Sequence, residues 1–231
     1  AQNSQFAGWW AYFNPSDKED YWTLENAQSM CDEFNDSGFA YNGIEFIDES
    51  VNSIINQKYT NWELIIGING HPPNSDVYNI AKKYKSDKIK VLDMIMSKGK
   101  SQTLNDMIMY CRYNWISLLD VDDIWLPNKL QSQILYMNKY DVIGTQCQYF
   151  GDRTDIPYIP LGDISTFNFK QVNPIINSSC LVRKELCLWN TDNNVNGIED
   201  YNLWLELRNK NKRFYNVNKI MVLHRIHNES A

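Results

Sequence analysis

Residues 115–130 read WISLLDVDDIWLPNKL, and this stretch decides the fold that we predict for the chain. Trp115 to Leu119 is a short run that is apolar except for Ser117, as expected of a central strand buried on both faces. The run ends abruptly in three carboxylates within four residues, Asp120, Asp122 and Asp123. Pro127 then favours the first turn of a helix. The pattern predicts a buried strand that leads through an acidic loop into a helix.

The acidic loop is open to two interpretations. Side chains alternate along an extended chain, so Asp120 and Asp122 point to the same side and repel each other unless a cation or a shared proton offsets their charge. Oxygen-rich sites at the carboxyl ends of strands suit Mg²⁺ or Mn²⁺, above all when a phosphate supplies further ligands. The alternative is an acidic turn in which Asp123 or Asn128 caps the next helix.

Composition narrows the class of protein. The chain has 231 residues, 43% hydrophobic and 22% charged, which is ordinary for a soluble protein of one large domain or two small ones. A net charge of −6 and a pI near 5.1 argue against a nucleic-acid binder that works through phosphate contacts. The aromatic share of 13% is high, which is compatible with sugar-stacking surfaces as well as with a large core.

Cysteine usage and hydropathy bear on the compartment. The five cysteines have no CxxC spacing, so they predict free thiols in a reducing, cytoplasmic compartment rather than a zinc site or a disulfide framework. No apolar run approaches the roughly 18 residues that span a bilayer, and no signal peptide is evident. We therefore expect no membrane segment in this chain; membrane association through parts outside these residues stays open.

From residue 39 onwards, helices and strands are predicted to alternate. The predicted elements are a helix with the apolar stripe Ile47, Val51, Ile54 and Ile55, a strand at Leu64–Ile68, a helix at Asp76–Lys85, a strand at Lys90–Leu92 and a helix with Leu104, Met107, Ile108 and Cys111 on one face. This alternation predicts a mostly parallel sheet with helices on both faces. Strands at Asp141–Phe150, Ser179–Val182 and Lys219–Leu223, with a helix at Gly197–Asn209, predict a mixed second half.

The first 38 residues carry weaker signals. Phe6–Phe13 (FAGWWAYF) is the only apolar run there and is a candidate first strand, and Tyr21–Phe34 is a candidate short helix.

Four pieces of sequence, taken together, resemble a known family. They are YNGIEFIDESVNSIINQKYTNWELII, LLDVDDIWLPNKL, GIEDYNLWLEL and HRIH. In this order and spacing they are similar to inverting family 2 glycosyltransferases of the GT-A fold, from Tyr41 to His227. The resemblance implies one catalytic domain over residues 1–231, with a Rossmann-like, mostly parallel central sheet flanked by helices and a mixed C-terminal half. Residues 39–139 would form the nucleotide-binding half and residues 140–231 the acceptor-binding half.

The resemblance assigns the acidic loop to a divalent metal. In the family, the DxD carboxylates hold Mn²⁺ or Mg²⁺ on the diphosphate of a nucleotide sugar. Asp122 would be the direct metal ligand, Asp120 would contact the ribose or the metal, and Asp123 would hold the loop. The chemistry agrees, because a metal and its ligands neutralise the charge that develops on the departing diphosphate.

Glu199 and Asp200 resemble the family's ED motif. There the Asp is the general base that deprotonates the acceptor hydroxyl, and an inverting transfer needs one such base opposite the leaving group. Asp200 would be the base and Glu199 would position the acceptor. The competing interpretation is a helix N-terminus, where acidic residues stabilise the dipole. Trp204, one turn further on, is expected either to stack on a sugar or to pack in the core.

The C-terminal Arg225-Ile226-His227 matches the family's RxH motif. His227 would complete the metal site, with His224 as a nearby competitor and a structural histidine as the alternative. Arg225 would contact the diphosphate.

The chain departs from the family at two points. The residues before Tyr41-Asn42 are mostly polar, so either Phe6–Phe13 is the first strand with about 25 residues inserted after it, or this edge is built differently. Asn69 stands where an acidic residue usually binds the base; since Asn donates as well as accepts, the preference for uridine stays open. Tyr41, Asn69 and Lys98 are the further candidate contacts to the donor, with a solvated loop lysine as the alternative for Lys98.

The sequence thus predicts a metal-dependent inverting glycosyltransferase. It would move a sugar from a nucleotide diphosphate, a UDP-sugar being the expected donor, to a hydroxyl of a carbohydrate or glycan acceptor, with Asn177–Ser179 helping to line the pocket. Three alternatives remain: a carbohydrate-binding module that has lost catalysis, an aspartate phosphotransferase of the haloacid dehalogenase kind suggested by LLDVDDI, and a sugar-nucleotide nucleotidyltransferase, whose glycine-rich, arginine-containing loop is missing.

Overall fold

The computed structural model describes residues 44–71 and 73–226, and the structural statements below concern these residues. Their helices are α1 (Ile47–Ile55), α2 (Asp76–Lys82), α3 (Gly99–Ile108), α4 (Lys129–Gln133) and α5 (Glu199–Asn209). Their strands are β1 (Leu64–Ile68), β2 (Ile89–Asp93), β3 (Trp115–Ile116), β4 (Ile124–Trp125), β5 (Val142–Gly151), β6 (Gly162–Asp163), β7 (Leu181–Arg183) and β8 (Phe214–Ile226). The strand and helix predicted within residues 1–38 lie outside the described residues.

The strands form two sheets that together confirm an α/β fold. β1 and β2 pair in parallel as one sheet, and the other has the order β3-β7-β5-β8-β4, with β6 pairing to β8. Among the described strands, β1–β2 and β5–β8 are parallel pairs and the other four pairs are antiparallel. The mixed character arises where β3 and β4 pair with the antiparallel strands β7 and β8 of the C-terminal half.

The predicted central strand is shorter than its apolar run. Only Trp115 and Ile116 pair as a strand, and residues 117–119 are half-buried. β7 begins only at Leu181, after a 3₁₀ turn at Asn177–Ser179, and its register with this run ends at Ile116. By contrast, β1 covers the predicted residues Leu64–Ile68.

Helix α1 follows from its apolar stripe. Ile47 and Val51 are buried against β1 and α2, and Ile54 is buried with Trp125 of β4, whereas Ile55, which the pattern placed on the same face, is 41% exposed. Consecutive residues of a helix are about 100° apart, so Ile54 and Ile55 do not share a narrow face.

The main core lies under β5, β7 and α5. Trp204 is fully buried in it, beside Val182 and Phe214. This burial decides between the two interpretations of Trp204, which packs in the core. Among the helices of the described residues, none is both long and apolar enough to cross a bilayer.

Candidate active site

The third carboxylate of the acidic loop, Asp123, anchors the loop to β8. Asp123 is fully buried, and both its oxygens accept hydrogen bonds from Nδ1 of His224 at 2.9 Å. It also accepts from the main-chain N–H of Arg225 at 2.9 Å. Burial alone would lower the pKa of His224, but the Asp123 carboxylate beside it raises that pKa above its ordinary value. Asp123 and His224 therefore join the loop to β8 as a structural pair.

Asp120 is fixed by three partners from other parts of the chain. Nδ2 of Asn177 donates to both carboxylate oxygens at 3.1 Å, and Oγ of Ser178 donates to Oδ2 at 3.2 Å. Nζ of Lys100 donates to Oδ1 at 3.3 Å, from a side chain that is 14% exposed. Burial would raise the pKa of Asp120, but the Lys100 ammonium and the Asn177 amide hold it below its ordinary value. Asp120 is therefore an ionised carboxylate.

A second acidic pair begins helix α5. Glu199 and Asp200 occupy its first turn, each 7% exposed. Asp200 accepts a hydrogen bond from Nδ2 of Asn173 at 3.3 Å. Burial raises the pKa of Asp200 to about 6, even though the Lys100 ammonium acts to lower it. A carboxyl group with this pKa can take up and release a proton near neutral pH.

Lys100 links the two acidic groups electrostatically. Burial would lower its pKa, but the carboxylates of Asp120, Glu199 and Asp200 together raise it above the ordinary value. The Lys100 ammonium is thus close enough to interact electrostatically with both the acidic loop and the start of α5, although these lie about 80 residues apart in sequence. The sequence pattern indicated Lys98 instead of Lys100. Both lysines lie in residues 97–101 (SKGKS), and this short segment holds no signal that separates them.

A divalent metal fits the acidic loop with help from a phosphate. Among residues 44–71 and 73–226, no three His, Cys, Asp or Glu side chains form a group that could hold a metal ion. However, Mg²⁺ and Mn²⁺ are commonly held by one or two carboxylates together with substrate phosphates. Asp120 and Asp122 supply such carboxylates. His227 lies outside the described residues, directly after β8.

The structure brings several predicted donor contacts to one cleft. It is lined by Asn69, Asp120 and Asp122, together with Lys100 and Asn177. Asn69 follows β1, and its amide donates to Oγ1 of Thr103 at 2.7 Å and to the Gly99 carbonyl at 3.3 Å, which joins β1 to the start of α3.

Lys98 and Tyr41 are the other two predicted donor contacts. Lys98 is exposed just before α3 and does not line the cleft. Tyr41 lies outside the described residues.

Arg225 supports the acidic loop from the side. Its guanidinium lies between the rings of Phe46 and Phe150, at 4.0 and 4.2 Å from their centroids. Its Nε donates to the main-chain oxygen of Asp122 at 3.0 Å, and it forms an ion pair with Glu49 of α1. These contacts hold the loop against α1.

Comparison with known proteins identifies the family of this chain. Residues 39–184 match the sequence model of Glycosyl transferase family 2. The chain therefore belongs to this family and is a glycosyltransferase.

Three bacterial relatives carry related names. The O-antigen biosynthesis glycosyltransferase WbnJ of Escherichia coli is 28% identical over 205 residues, covering 81% of this chain and 77% of its own. The putative glycosyltransferase EpsE of Bacillus subtilis is 26% identical, covering 78% of this chain and 68% of its own. The UDP-Glc:alpha-D-GlcNAc-diphosphoundecaprenol beta-1,3-glucosyltransferase WfgD of Escherichia coli is 32% identical over 103 residues, covering 45% of this chain and 40% of its own.

Solved structures confirm the GT-A fold. S. aureus TarS 1-349 in complex with UDP-GlcNAc matches with a TM-score of 0.61 at 15% identity, over 81% of this chain. The mannosyltransferase PcManGT from Pyrobaculum calidifontis, in complex with GDP-Man and Mn²⁺, matches with a TM-score of 0.61 at 11% identity, over 89% of this chain. The chain spans 56% of the TarS structure and 65% of the PcManGT structure.

Proposed function

We propose that this glycosyltransferase moves a sugar from a nucleotide diphosphate to a hydroxyl of a glycan acceptor, with a divalent metal and with inversion at the sugar. The observation that carries the proposal is the pairing, through Lys100, of an ionised Asp120 with a buried Asp200 whose pKa is raised to about 6. Asp120 suits a site for the donor diphosphate and its metal, and Asp200 suits proton transfer.

The donor side is formed by the acidic loop. Asp122 would hold Mn²⁺ or Mg²⁺, and when bound the metal would neutralise charge on the departing diphosphate. Asp120 is held in place by Asn177, Ser178 and Lys100, so its oxygens are oriented before the donor arrives. The ammonium of Lys100 adds a positive charge beside the site for the phosphates.

The acceptor side is formed by the start of α5. Asp200 would accept the proton of the acceptor hydroxyl as that oxygen attacks the sugar carbon, while the bond from this carbon to the diphosphate breaks. A pKa of about 6 leaves Asp200 mostly ionised at neutral pH and still basic enough to take the proton. Glu199, adjacent and equally buried, would position the acceptor.

A UDP-sugar is the donor that we propose. WfgD, which is similar to this chain over 103 residues, is named for UDP-Glc, and a structural neighbour was solved with UDP-GlcNAc. The neighbour solved with GDP-Man makes GDP the alternative to be tested. For the acceptor we propose a growing bacterial-type polysaccharide, because WbnJ is named for O-antigen biosynthesis.

We propose the reducing cytoplasm as the compartment in which the protein works. Cys111, Cys147, Cys180 and Cys187 are all free thiols in the structure, and three of them are buried. Free buried thiols are usual where glutathione keeps cysteines reduced.

Calorimetry of nucleotide binding tests the donor site. UDP and GDP are titrated with and without Mn²⁺ into the wild type, into Asp122→Asn and into the control Asp87→Asn, which changes an exposed carboxylate. We expect Mn²⁺-dependent binding of UDP that is lost in Asp122→Asn and kept in Asp87→Asn. Binding that ignores both the metal and Asp122 would contradict the proposal. Metal-dependent release of UDP from a UDP-sugar then separates an enzyme from a binding module.

A further inference from the structure

The turn that holds Asp120 is built from buried residues. Asn177–Ser179 form a short 3₁₀ turn, and each of its residues is at most 2% exposed. Oγ of Ser178 accepts a hydrogen bond from the main-chain N–H of Asp120 at 3.1 Å and donates one to Oδ2 of the same residue at 3.2 Å. Nδ2 of Asn177 donates to both carboxylate oxygens. The position of this turn therefore sets the direction of the Asp120 carboxylate.

Two side chains from elsewhere in the chain hold the main chain of this turn. Nε1 of Trp125 donates to the carbonyl of Ser178 at 2.6 Å, and Nε2 of Gln133 donates to the carbonyl of Ser179 at 2.8 Å. The last carbonyls of a helical turn have no partner inside it, and buried carbonyls are nearly always hydrogen-bonded. Because Ser178 and Ser179 are fully buried, these two side chains supply hydrogen bonds that bulk water does not reach.

Lys129 contacts both of these side chains. It is fully buried on α4, one turn before Gln133, and its Nζ donates to Oε1 of Gln133 at 3.0 Å. The same Nζ lies 3.9 Å from the ring centroid of Trp125. It also donates at 2.8 Å to Oγ of Ser117, which in turn donates to the carbonyl of Cys180. The carbonyl groups of three consecutive residues are thus held by one connected group of side chains.

Asn177 depends on this support. Among the described residues, its Oδ1 is buried without a hydrogen-bond partner. Its Nδ2 donates to the two oxygens of Asp120. Within this part of the chain, no third group fixes the amide by a hydrogen bond, so its direction follows from the backbone of the turn. A shift of that backbone would move the amide and, with it, the carboxylate.

We propose that Trp125 and Gln133 are positioning residues for the donor site, acting on Asp120 through the turn Asn177–Ser179. This role rests on the proposed function, because it requires that Asp120 contributes to binding of the donor. Trp125 lies five residues after Asp120, and its own main-chain N–H donates to Oγ of Ser53 in α1 at 3.1 Å. Its indole thus connects the end of the acidic loop to the turn that holds the start of the loop.

A role in packing can be separated from a role in positioning. Trp125 also belongs to an apolar cluster with Ile54 and Leu130, so loss of its ring would lower stability. Trp125→Phe keeps a ring in this cluster and removes the N–H that reaches Ser178. Trp204→Phe is the matched control, because Trp204 is fully buried and its Nε1 has no hydrogen-bond partner among the described residues. The two variants lose similar volume, and only Trp125→Phe loses a hydrogen bond.

Calorimetry with UDP in Mn²⁺ compares the two variants. Trp125→Phe leaves the carbonyl of Ser178 without its donor, so we expect UDP to bind about tenfold more weakly. Trp204→Phe should bind UDP within about twofold of the wild type, even where urea titration shows that it is less stable. Equal affinities in the two variants, with metal-dependent binding by the wild type, would overturn the positioning role and leave the donor site in place.

A double-mutant cycle tests the route through the turn. Ser178→Ala removes the hydroxyl that contacts Asp120, so it should weaken UDP binding by a similar factor. If both substitutions act through the turn, the loss in the double variant Trp125→Phe/Ser178→Ala should be smaller than the product of the single losses. Losses that multiply would show that Trp125 acts independently of the turn and would overturn the proposal. Gln133→Met, against the exposed Gln131→Met on the same helix, repeats the comparison if Trp125→Phe does not fold.

Hydrogen exchange reads the position of Asp120 without a nucleotide. The main-chain N–H of Asp120 donates to Ser178, so relative to the hydrogen-bonded amide of Met94 it should exchange at least about tenfold faster in Trp125→Phe and at the wild-type rate in Trp204→Phe. The same relative rate in both variants would overturn the positioning role, whether or not UDP binds. A wild type without metal-dependent binding of UDP would contradict the proposed function instead, and the exchange rates would still decide whether Trp125 positions Asp120.

Discussion

Nζ of Lys100 lies 3.3 Å from Oδ1 of Asp120, and this ion pair joins the start of α3 to the end of residues 115–119. The carboxylates of Glu199 and Asp200 at the start of α5 also raise the pKa of Lys100. A single lysine thus balances carboxylates that serve the donor in the proposed function and carboxylates that serve the acceptor.

Removing this cation should weaken donor binding. In Lys100→Met, Asp120 loses a charge-assisted hydrogen bond, and the phosphates lose a nearby positive charge, so we expect UDP to bind about 10- to 100-fold more weakly in Mn²⁺. Lys98→Met is the matched control, two residues away and exposed, and should bind within about twofold of the wild type. Calorimetry measures both, and a larger loss in Lys98→Met would return that residue to the donor site.

Asp200→Asn should abolish transfer while donor binding stays intact. General-base catalysis contributes about 10²- to 10⁴-fold, so we expect kcat to fall by that factor. In the wild type, kcat/KM should decline below about pH 6 as Asp200 becomes protonated. A pH–rate profile from pH 5 to 8 measures this, and a variant that keeps the wild-type profile would show that another group is the base.

The same substitution should stabilise the protein above pH 6. Burial raises the pKa of Asp200 from 3.8 to about 6, so between these values the folded state binds more protons than the unfolded state, and stability falls as pH rises. Asparagine removes the buried charge, so Asp200→Asn should gain on the order of 3 kcal/mol in free energy of unfolding at pH 8 and little at pH 4. Urea titrations at both pH values check this; equal effects at both would contradict it.

Breaking the buried pair of Asp123 and His224 should lower the free energy of unfolding by an amount that depends on pH. The pKa of His224 is raised, so the stability from its charge is fully present below pH 6.5 and is lost as pH rises through the folded pKa. We expect His224→Gln to lose about 3 kcal/mol at pH 6 and less at pH 9. Urea titrations at both pH values compare it with Asn218→Gln, an exposed position on the same strand. A loss that does not change with pH would mean that the histidine is neutral in the pair.

Lys129 should make stability rise with pH above 7. It is fully buried, donates to Ser117 and Gln133, and has its pKa lowered by burial to about 7. Between pH 7 and 10 the unfolded state therefore binds more protons, so stability should rise by up to about 1.4 kcal/mol per pH unit. Lys129→Met should flatten this rise in thermal or urea unfolding. A slope that is the same in both proteins would show that the lysine stays charged when folded.

Local patterns predicted the elements whose signal lies within a few residues. The bounds of β1 follow from one apolar run, and α1 follows from the spacing of Ile47, Val51 and Ile54, because burial of one face requires that period. The strand at Trp115–Leu119 was predicted too long. Its length depends on which neighbours pair with it, and the run itself holds no information about β7.

The candidate site likewise contains residues that the sequence predicted and residues that only the structure identified. The residue types and spacing of Asp120, Asp122 and Asp200 predict carboxylate chemistry, since few other side chains hold a metal or accept a proton, and these roles stay predictions. Lys100 was not predicted, because a lysine is most often solvated, and its ion pair with Asp120 forms only when the two segments are folded together. Asn177 was expected near the sugar, and the structure shows it on Asp120.

The sequence alone determined the class of chemistry and the α/β character of the chain, because both depend on residue types at short range. Only the tertiary structure decided that Asp123 and His224 are a supporting pair, that Trp204 is core, and that one cation serves two acidic groups. The Lys100–Asp120 and Asp123–His224 contacts join residues 20 and 101 positions apart. Such contacts form only when the whole sheet is assembled, since packing rather than local preference brings the groups together.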